Sequence, residues 1–262
     1  MKDILSGIIA NKRFEVDIQK QAISIEQLEE GLHTLSPTRS MKQALASSPT
    51  GIIAEFKRRS PSKGWIKEEA CPEAIIPAYA EAGAAALSIL TDEKFFGGSL
   101  KDIRTARPLV QLPILRKDFI IDEYQLYQAR IVGADAVLLI AAALQQDQCR
   151  KLAAKAHELG LEVLLEIHSA AELPYISEDI DMVGINNRNL GTFHTDVENS
   201  FQLAGQLPKE VLLISESGIS DAETVKRLHR SGFRGFLIGE TFMRTSSPGD
   251  TLREFITAIV AS

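Results

Sequence analysis

Lysine and glutamate residues stand at the ends of short apolar runs at several places in the chain. Glu55 and Lys57 close the first run, Lys117 follows the third, and Glu166 follows the fifth. Glu55 and Lys57 are two residues apart, so on a β-strand their side chains point to the same side. Ammonium and carboxyl groups that lie close together shift each other's pKa values and can exchange protons with a substrate. These residues indicate acid–base chemistry. The alternative is a rim of salt bridges without chemistry.

Further polar residues follow the later runs. Asn186 and Arg188 follow the sixth run, and Glu216 and Ser217 follow the seventh. Charged or amide groups at five run ends favour one shared site over an inert rim. Phe96 follows the second run, where its ring either walls a pocket or packs in the core.

Two glycines mark the last two runs. Gly218 follows the seventh run and Gly239 the eighth, each shortly before a predicted helix. Backbone N–H groups at such turns bind phosphate, and barrels of alternating strands and helices often bind it there. We therefore predict a phosphate site formed by Ser60, Gly218, Gly239 and Glu240. Ordinary loop turns are the alternative explanation for each glycine taken singly.

The apolar runs alternate with amphipathic segments of helical length, of which Leu144–Leu159 and Asp221–Ser231 are the clearest. Runs rich in Ile, Leu and Val are typical of strands buried on both faces of a parallel sheet. Eight such runs occur, at 52–56, 85–90, 113–115, 136–140, 162–165, 182–185, 211–214 and 235–238. The pattern predicts an α/β fold, a (β/α)8 TIM barrel whose strand ends form the site. An open doubly wound sheet is the alternative.

Residues 1–48 do not fit this repeat. Met1–Lys20 is predicted to be a helix, with Phe14 and Ile18 among its apolar contacts, and Ser24 is predicted to cap a second helix at Ile25–Leu32. The segment is too short to hold a core of its own. We expect an N-terminal helical extension packed on the barrel, within a single domain spanning residues 1–262.

Composition excludes several classes of protein. The net charge of −6 argues against a general binder of nucleic acid or membrane surfaces, which are anionic. Cys71 and Cys149 form no CxxC or cysteine–histidine cluster, so neither a disulfide framework nor a metal site is expected. A signal peptide and a bilayer-spanning run are absent from the sequence, which favours the cytoplasm. With no long exposed apolar face, a monomer is expected.

The strand ends together resemble the indole-3-glycerol phosphate synthase family. The matching segments come in the family's order and cover the chain from about residue 50 to 245. They are EFKRRSPSKG (55–64), LTDEKFFGGS (90–99), LRKDFIID (115–122), LEIH (165–168), GINNRNL (184–190), SESGI (215–219) and IGE (238–240).

The resemblance implies a small phosphorylated substrate, 1-(2-carboxyphenylamino)-1-deoxyribulose 5-phosphate, whose ring closure releases carbon dioxide and water. It implies that Lys117 is the general acid in ring closure and that Glu166 is the acid or base in dehydration. Lys57 would bind the substrate or share the acid role, and Glu55 would orient both lysines. No metal or cofactor is implied, because the iminium formed by attack accepts the electrons left by carbon dioxide.

The resemblance also implies a set of binding residues. The polar groups of the substrate would be bound by Asn186, Glu216 and Ser217. Arg188 would pair with the anthranilate carboxylate or with a neighbouring carboxylate, and Phe96 would contact the substrate.

Two rival functions remain open at the level of sequence. A phosphoribosylanthranilate isomerase typically needs a cysteine base at the end of the first strand, where this chain has Glu55 and Lys57. A catalytically dead barrel kept as a metabolite sensor would not need Lys57, Lys117 and Glu166 together.

Overall fold

The computed structural model describes residues 4–189 and 194–261 and contains a closed barrel of eight parallel strands. We label them β1 to β8 in chain order: Ile52–Phe56, Ala86–Leu90, Ile114–Lys117, Ala136–Ile140, Glu162–Ile167, Met182–Asn186, Leu212–Glu216 and Phe233–Ile238. Each strand pairs with the next, and β8 pairs with β1, as Ile53 and Leu237 do. The predicted (β/α)8 barrel is confirmed, and the open sheet is excluded by this closure.

Twelve α-helices are described, α1 to α12: Ile4–Ala22, Ile25–Glu30, Met41–Ser47, Pro72–Ala82, Glu93–Phe96, Leu100–Ala106, Tyr124–Val132, Gln146–Glu158, Glu198–Ala204, Ala222–Arg230, Glu240–Met243 and Pro248–Val260. Short 3-10 helices lie at Gly31–Thr34, Arg107–Leu109, Ala141–Ala143 and Ala170–Tyr175. The last stands where the repeat would place an α-helix after β5. It contains Pro174, whose ring would clash with the carbonyl four residues earlier in an α-helix. Within the described residues, no helix is long and apolar enough to cross a membrane.

The inside of the barrel is filled by side chains that point inward from the strands. Ile53, Leu115, Leu164 and Ile214 belong to this buried cluster. Met41 and Leu45 of α3 join it with no exposed surface, so α3 closes the end at which the strands begin. A second, larger cluster fills the layer between the strands and the outer helices.

The N-terminal helices pack on the barrel near α7. Val16 of α1 and Leu28 of α2 form a buried cluster with Tyr124 and Tyr127. Ser24 and Gln27 cap the start of α2 reciprocally, and the helix ends at Glu30 rather than at the predicted Leu32 because the chain continues there as a 3-10 turn. The predicted first position of α1, Met1, lies outside the described residues.

The predicted apolar contacts of α1 are partly wrong. Phe14 is 65% exposed and Ile18 is 49% exposed, whereas Val16 and Lys12 are buried. The buried stripe of α1 runs through Leu5, Ile8, Ile9, Lys12 and Val16. Because successive helical residues are turned by about 100°, Phe14 and Ile18 fall away from this stripe.

Lys12 of α1 forms ion pairs at the end of the barrel at which the strands finish. Its ammonium lies 2.9 Å from Asp92 and 3.0 Å from Asp118, and only 4% of the residue is exposed. Asp118 also accepts a hydrogen bond from Arg116 at 2.8 Å. Burial would raise the pKa of Asp118, but Arg116 and Lys12 hold that pKa below its usual range. Asp118 therefore stays ionised and keeps Lys12 as its partner.

Removal of the Lys12 ammonium should destabilise the fold. Lys12→Met leaves Asp92 and Asp118 buried without this cation, so we expect the free energy of unfolding to fall by about 3 kcal/mol. Urea unfolding followed by circular dichroism measures the change. Arg13→Met is the matched control, because it removes one positive charge from an exposed position on the same helix. Equal unfolding midpoints for the two variants would contradict the proposed importance of Lys12.

Candidate active site

A cavity of about 490 Å³ opens at the carboxyl ends of the strands. Most of the predicted site residues line it: Glu55, Lys57, Phe96, Lys117, Glu166, Asn186, Arg188, Ser217, Gly218, Gly239 and Glu240. Glu216 contacts Lys117 from a position almost without exposed surface. Ser60 is 2% exposed, and its hydroxyl lies 3.5 Å from that of Ser62, which does line the cavity. The cavity therefore gathers most of these residues, and Ser60 and Glu216 lie behind its lining.

The centre of the site is the Lys117 ammonium. It lies 3.4 Å from Glu216, 3.7 Å from Glu166 and 4.0 Å from Glu55. Lys57 donates a hydrogen bond of 2.5 Å to the other oxygen of Glu55. Two ammonium groups and three carboxyl groups thus share one small space, which we call the lysine–glutamate cluster.

The pKa values of Lys117 and Glu55 are shifted by their neighbours in the cluster. Burial would lower the pKa of Lys117, but Glu216, Glu166 and Glu55 together raise it, so the ammonium is retained. Burial would raise the pKa of Glu55, but Lys57 and Lys117 hold it below its ordinary value. Glu55 is therefore a carboxylate at neutral pH.

Glu216 is the exception in this cluster. Burial, with a smaller contribution from the carboxyl groups of Glu166 and Glu55, raises its pKa to about 8 against the opposing effect of Lys117. Neither carboxyl oxygen has a hydrogen-bond partner among the described residues. The raised pKa favours the protonated form of Glu216 near neutral pH. Sequence reasoning gave Glu216 a binding role only, since no spacing shows that three carboxyl groups meet at one lysine.

Two glycines make room for these carboxyl groups. A Cβ atom on Gly184 would lie 2.1 Å from a carboxyl oxygen of Glu216, and one on Gly239 would lie 2.3 Å from a carboxyl oxygen of Glu55. Real Cβ atoms do not approach so closely. Gly239, predicted for phosphate alone, therefore also sets the position of Glu55, and Gly184 was not predicted at all.

The turns after β7 and β8 form one side of the cavity. Ser217 and Gly218 both have left-handed backbone conformations, with φ of 69° and 77°. Gly239 directly precedes α11, whose first residue is Glu240. The carboxylate of Glu240 lies 3.9 Å from Lys63 and 3.8 Å from Arg188. The exposed side chains of Lys63 and Arg244 line the same part of the cavity and were missed by sequence reasoning.

Arg188 connects the loop after β6 with the loop after β1. It donates to Ser62 at 3.1 Å and to Thr195 at 3.3 Å. The side-chain oxygen of Asn186 accepts from the Arg188 backbone N–H at 3.0 Å. Leu190, the last residue of the segment that carries the resemblance here, lies outside the described residues.

Apolar side chains form another part of the cavity wall. The rings of Phe96 and Phe119 lie 6.0 Å apart, and both residues line the cavity. Ile4, Leu5 and Ile8 of α1 line it as well. Sequence reasoning placed α1 on the barrel but not in the site, because helix periodicity does not show which end of a barrel a helix reaches.

Within residues 4–189 and 194–261, no group of three or more histidine, cysteine or carboxylate side chains is arranged to hold a metal ion. The three glutamates of the cluster face a lysine ammonium instead. A barrel with acid–base groups, glycine turns and an apolar wall at the ends of its strands is a (β/α)8-barrel enzyme for proton-transfer chemistry on a small molecule.

Comparisons with known proteins define the family. The family model for indole-3-glycerol phosphate synthase matches residues 5–255. An indole-3-glycerol phosphate synthase from Bacteroides thetaiotaomicron is 78% identical over 259 residues, which cover 99% of this chain and 100% of that protein. Another, from Neisseria meningitidis, is 46% identical over 249 residues, covering 93% and 95% of the two chains. The chain belongs to the indole-3-glycerol phosphate synthase family. Its activity is the one that gives the family its name, a carboxy-lyase reaction of tryptophan biosynthesis on a phosphorylated small molecule.

Solved structures support the fold alone. A mutant tryptophan synthase alpha-subunit from Pyrococcus furiosus superposes with a TM-score of 0.63 at 13% identity, covering 81% of this chain and 98% of that one. The 3-hexulose-6-phosphate synthase of Salmonella typhimurium gives 0.62 at 13% identity, covering 80% and 99%.

The raised pKa of Glu216 predicts a pH-dependent effect on stability. Its folded pKa of about 8 exceeds its ordinary value of 4.5, so the folded protein binds this proton more tightly than the unfolded chain does. Ionisation of Glu216 therefore lowers the free energy of unfolding. This loss is absent below pH 4.5, grows as the pH rises, and is complete above pH 8. Glu216→Gln should therefore raise the free energy of unfolding more at pH 9 than at pH 5, by about 1 kcal/mol or more.

Urea unfolding at both pH values measures this difference. Glu240→Gln is the control, because Glu240 lies at the rim with a third of its side chain exposed. A change of the same size at pH 5 and pH 9 for Glu216→Gln would show that Glu216 is already ionised at pH 5.

Proposed function

We propose that the lysine–glutamate cluster carries out the proton transfers of indole ring closure, with Lys117 as the general acid. The observation that carries this proposal is the position of the Lys117 ammonium, 15% exposed to the cavity and within 4.0 Å of three carboxyl groups. When the aromatic carbon that bears the carboxylate attacks the C2 carbonyl, the carbonyl oxygen gains charge and takes a proton from Lys117. The new hydroxyl then lies beside the cluster.

Decarboxylation needs no proton donor at the leaving carboxylate. The ring nitrogen becomes an iminium during attack, and the electrons of the broken carbon–carbon bond return to it as carbon dioxide leaves. The apolar wall at Phe96 and Phe119 supports this step, because a carboxylate in poor contact with water is destabilised relative to neutral carbon dioxide.

Dehydration is assigned to Glu166. One of its oxygens lies 3.7 Å from the Lys117 ammonium, and the other lies 3.4 Å from a ring nitrogen of His168. The residue is 2% exposed, so its proton exchange runs through these neighbours or the substrate. Dehydration needs one proton given to the hydroxyl that leaves as water and one proton removed from the ring carbon next to the nitrogen. We assign one of these two transfers to Glu166, as the acid or the base of the step.

Lys57 and Glu55 are assigned to binding and orientation. Lys57 faces the cavity from the end of β1, and its bond to Glu55 fixes its direction. Glu55 reaches both lysines, so it holds Lys57 and Lys117 at one spacing. Asn186 and Ser217 line the cavity where they can bind the polar groups of the substrate. Arg188 is paired with the neighbouring carboxylate of Glu240, the second of its two predicted roles.

We place the substrate phosphate at the turns of Gly218, Gly239 and Glu240. The support is their shared lining of the cavity beside the cationic side chains of Lys63 and Arg244. Backbone N–H groups at such turns suit an anion, and the two cations offset the charge of Glu240. The predicted contact of Ser60 stays a prediction, since Ser62 lies between it and the cavity lining.

The rival isomerase function has no support in the site. Cys71 is exposed before α4, Cys149 is buried in α8, and neither lines the described cavity. We further propose that the enzyme works as a monomer in the cytoplasm, in line with its two free thiols. Light scattering of the purified protein tests the oligomeric state.

Lys117→Met should abolish most of the turnover. The methionine keeps much of the stem and removes the ammonium, and loss of a general acid costs about 10² to 10⁴ in turnover. Indole fluorescence from the synthetic substrate, without added metal, measures it. Lys101→Met, which removes a lysine from the exposed surface of α6, is the matched control. Near-normal turnover of folded Lys117→Met would move the acid role to Lys57.

Glu166→Gln tests the dehydration role at nearly constant size. If Glu166 moves the proton, turnover should fall steeply, by about 10² or more, while affinity for a non-reacting substrate analogue changes little. Steady-state kinetics and calorimetric titration of the analogue give the two quantities. A collapse of affinity with turnover at saturation close to the parent's would make Glu166 a binding residue.

A further inference from the structure

Ser217 has a strained backbone. Among the described residues it is the one non-glycine with a positive φ, at 69°. It directly follows β7 and lines the cavity, and Gly218 continues the turn at 77°. A residue with a Cβ atom is disfavoured in this region and stays there only where its surroundings fix it.

The surroundings of Ser217 include a buried amide. The side-chain nitrogen of Asn187 donates to the carbonyl oxygen of Ser217 at 3.0 Å and to the hydroxyl of Ser215 at 3.1 Å. The side-chain oxygen of Asn187 accepts from the hydroxyl of Ser200 at 2.8 Å and from its N–H at 3.2 Å. Asn187 is 4% exposed, so these partners fix its orientation.

We propose that Asn187 is a positioning residue that holds Ser217 in its left-handed conformation and so shapes the substrate-binding turn after β7. The inference rests on the proposed binding roles of Ser217 and Gly218. Asn187 does not line the described cavity, so it acts through Ser217 and not on the substrate itself.

The backbone hydrogen bond of Asn187 indicates which kinetic constant changes. The backbone N–H of Asn187 donates to the carbonyl of Glu216 at 2.9 Å, and this bond survives a change of side chain. Loss of the amide therefore releases Ser217 and leaves Glu216 in place beside Lys117. The effect falls on substrate binding and leaves the proton transfers intact.

Asn187→Ala should raise KM by about tenfold and change kcat by less than about twofold. Steady-state assays of indole formation measure both constants. An equal fall in kcat with KM unchanged would overturn the proposal, because it would place the action of Asn187 in the chemical steps.

A double-mutant cycle separates positioning from a general effect on folding. Ser217→Gly removes the Cβ atom, so the left-handed conformation no longer needs the amide. Ser217→Ala is its matched control, since it also removes the hydroxyl but keeps the Cβ atom. Asn187→Ala should raise KM by about tenfold in the parent and in Ser217→Ala, and by less than about threefold in Ser217→Gly. Equal effects in all three backgrounds would overturn the proposal.

A substitute variant and an assay of the parent enzyme complete the experiment. If Asn187→Ala does not fold, Ser200→Ala replaces it in the cycle, because this change removes one hydrogen bond to the Asn187 oxygen and should give a smaller effect with the same pattern. The parent enzyme is assayed alongside. An inactive parent would refute the proposed function, whereas an active parent with an additive cycle would refute only the role of Asn187.

Discussion

Burial of Lys117 together with four other ionisable side chains is the constraint on which the rest of the site depends. Unpaired charges are strongly destabilised in a protein interior, so each ammonium and carboxylate must have a partner of opposite charge. The pKa of Glu216 is raised to about 8, which favours its protonated form near neutral pH. Lys117 lies within 4.0 Å of the carboxyl groups of Glu216, Glu166 and Glu55, and these groups together keep its ammonium charged. Burial is the largest cause of the raised pKa of Glu216, and the nearby carboxyl groups of Glu166 and Glu55 add to it.

The N-terminal extension is part of this electrostatic arrangement. Asp118 directly follows Lys117, and its carboxylate is held by Arg116 and by Lys12 of α1. These groups lie outside the lysine–glutamate cluster, so the charge of Asp118 is neutralised by its own partners and does not compete for Lys117. The same helix brings Ile8 to the cavity wall. One ion-pair network thus fixes both the end of β3 and the apolar wall.

The sequence predicted the barrel because strands buried on both faces are continuous apolar runs. It predicted that β3 and β5 end earlier than they do. Lys117 and Glu166 lie within β3 and β5, since pairing with the neighbouring strand, and not polarity, decides where a strand ends. The state of Glu216 and the need for Gly184 depend on distances across the barrel, which the spacing of residues along the chain does not contain. The exposure of Phe14 could have been predicted from the sequence, because the periodicity of α1 excludes this residue from the buried stripe.

The cluster is a layer of the barrel. In barrels of this kind, side chains from alternate strands fill the interior in layers of four. Ile53, Leu115, Leu164 and Ile214 form the inner cluster from β1, β3, β5 and β7. Two residues further along the same strands stand Glu55, Lys117, Glu166 and Glu216. The intervening β6 and the end of β8 contribute Gly184 and Gly239 beside the carboxyl groups. The apolar layer below holds the four chemical groups at fixed spacing on rigid strands, and the glycines admit their carboxyl groups. The loops after β6, β7 and β8 can therefore differ in shape without moving Lys117 and Glu166, to which the proposed function gives the proton transfers.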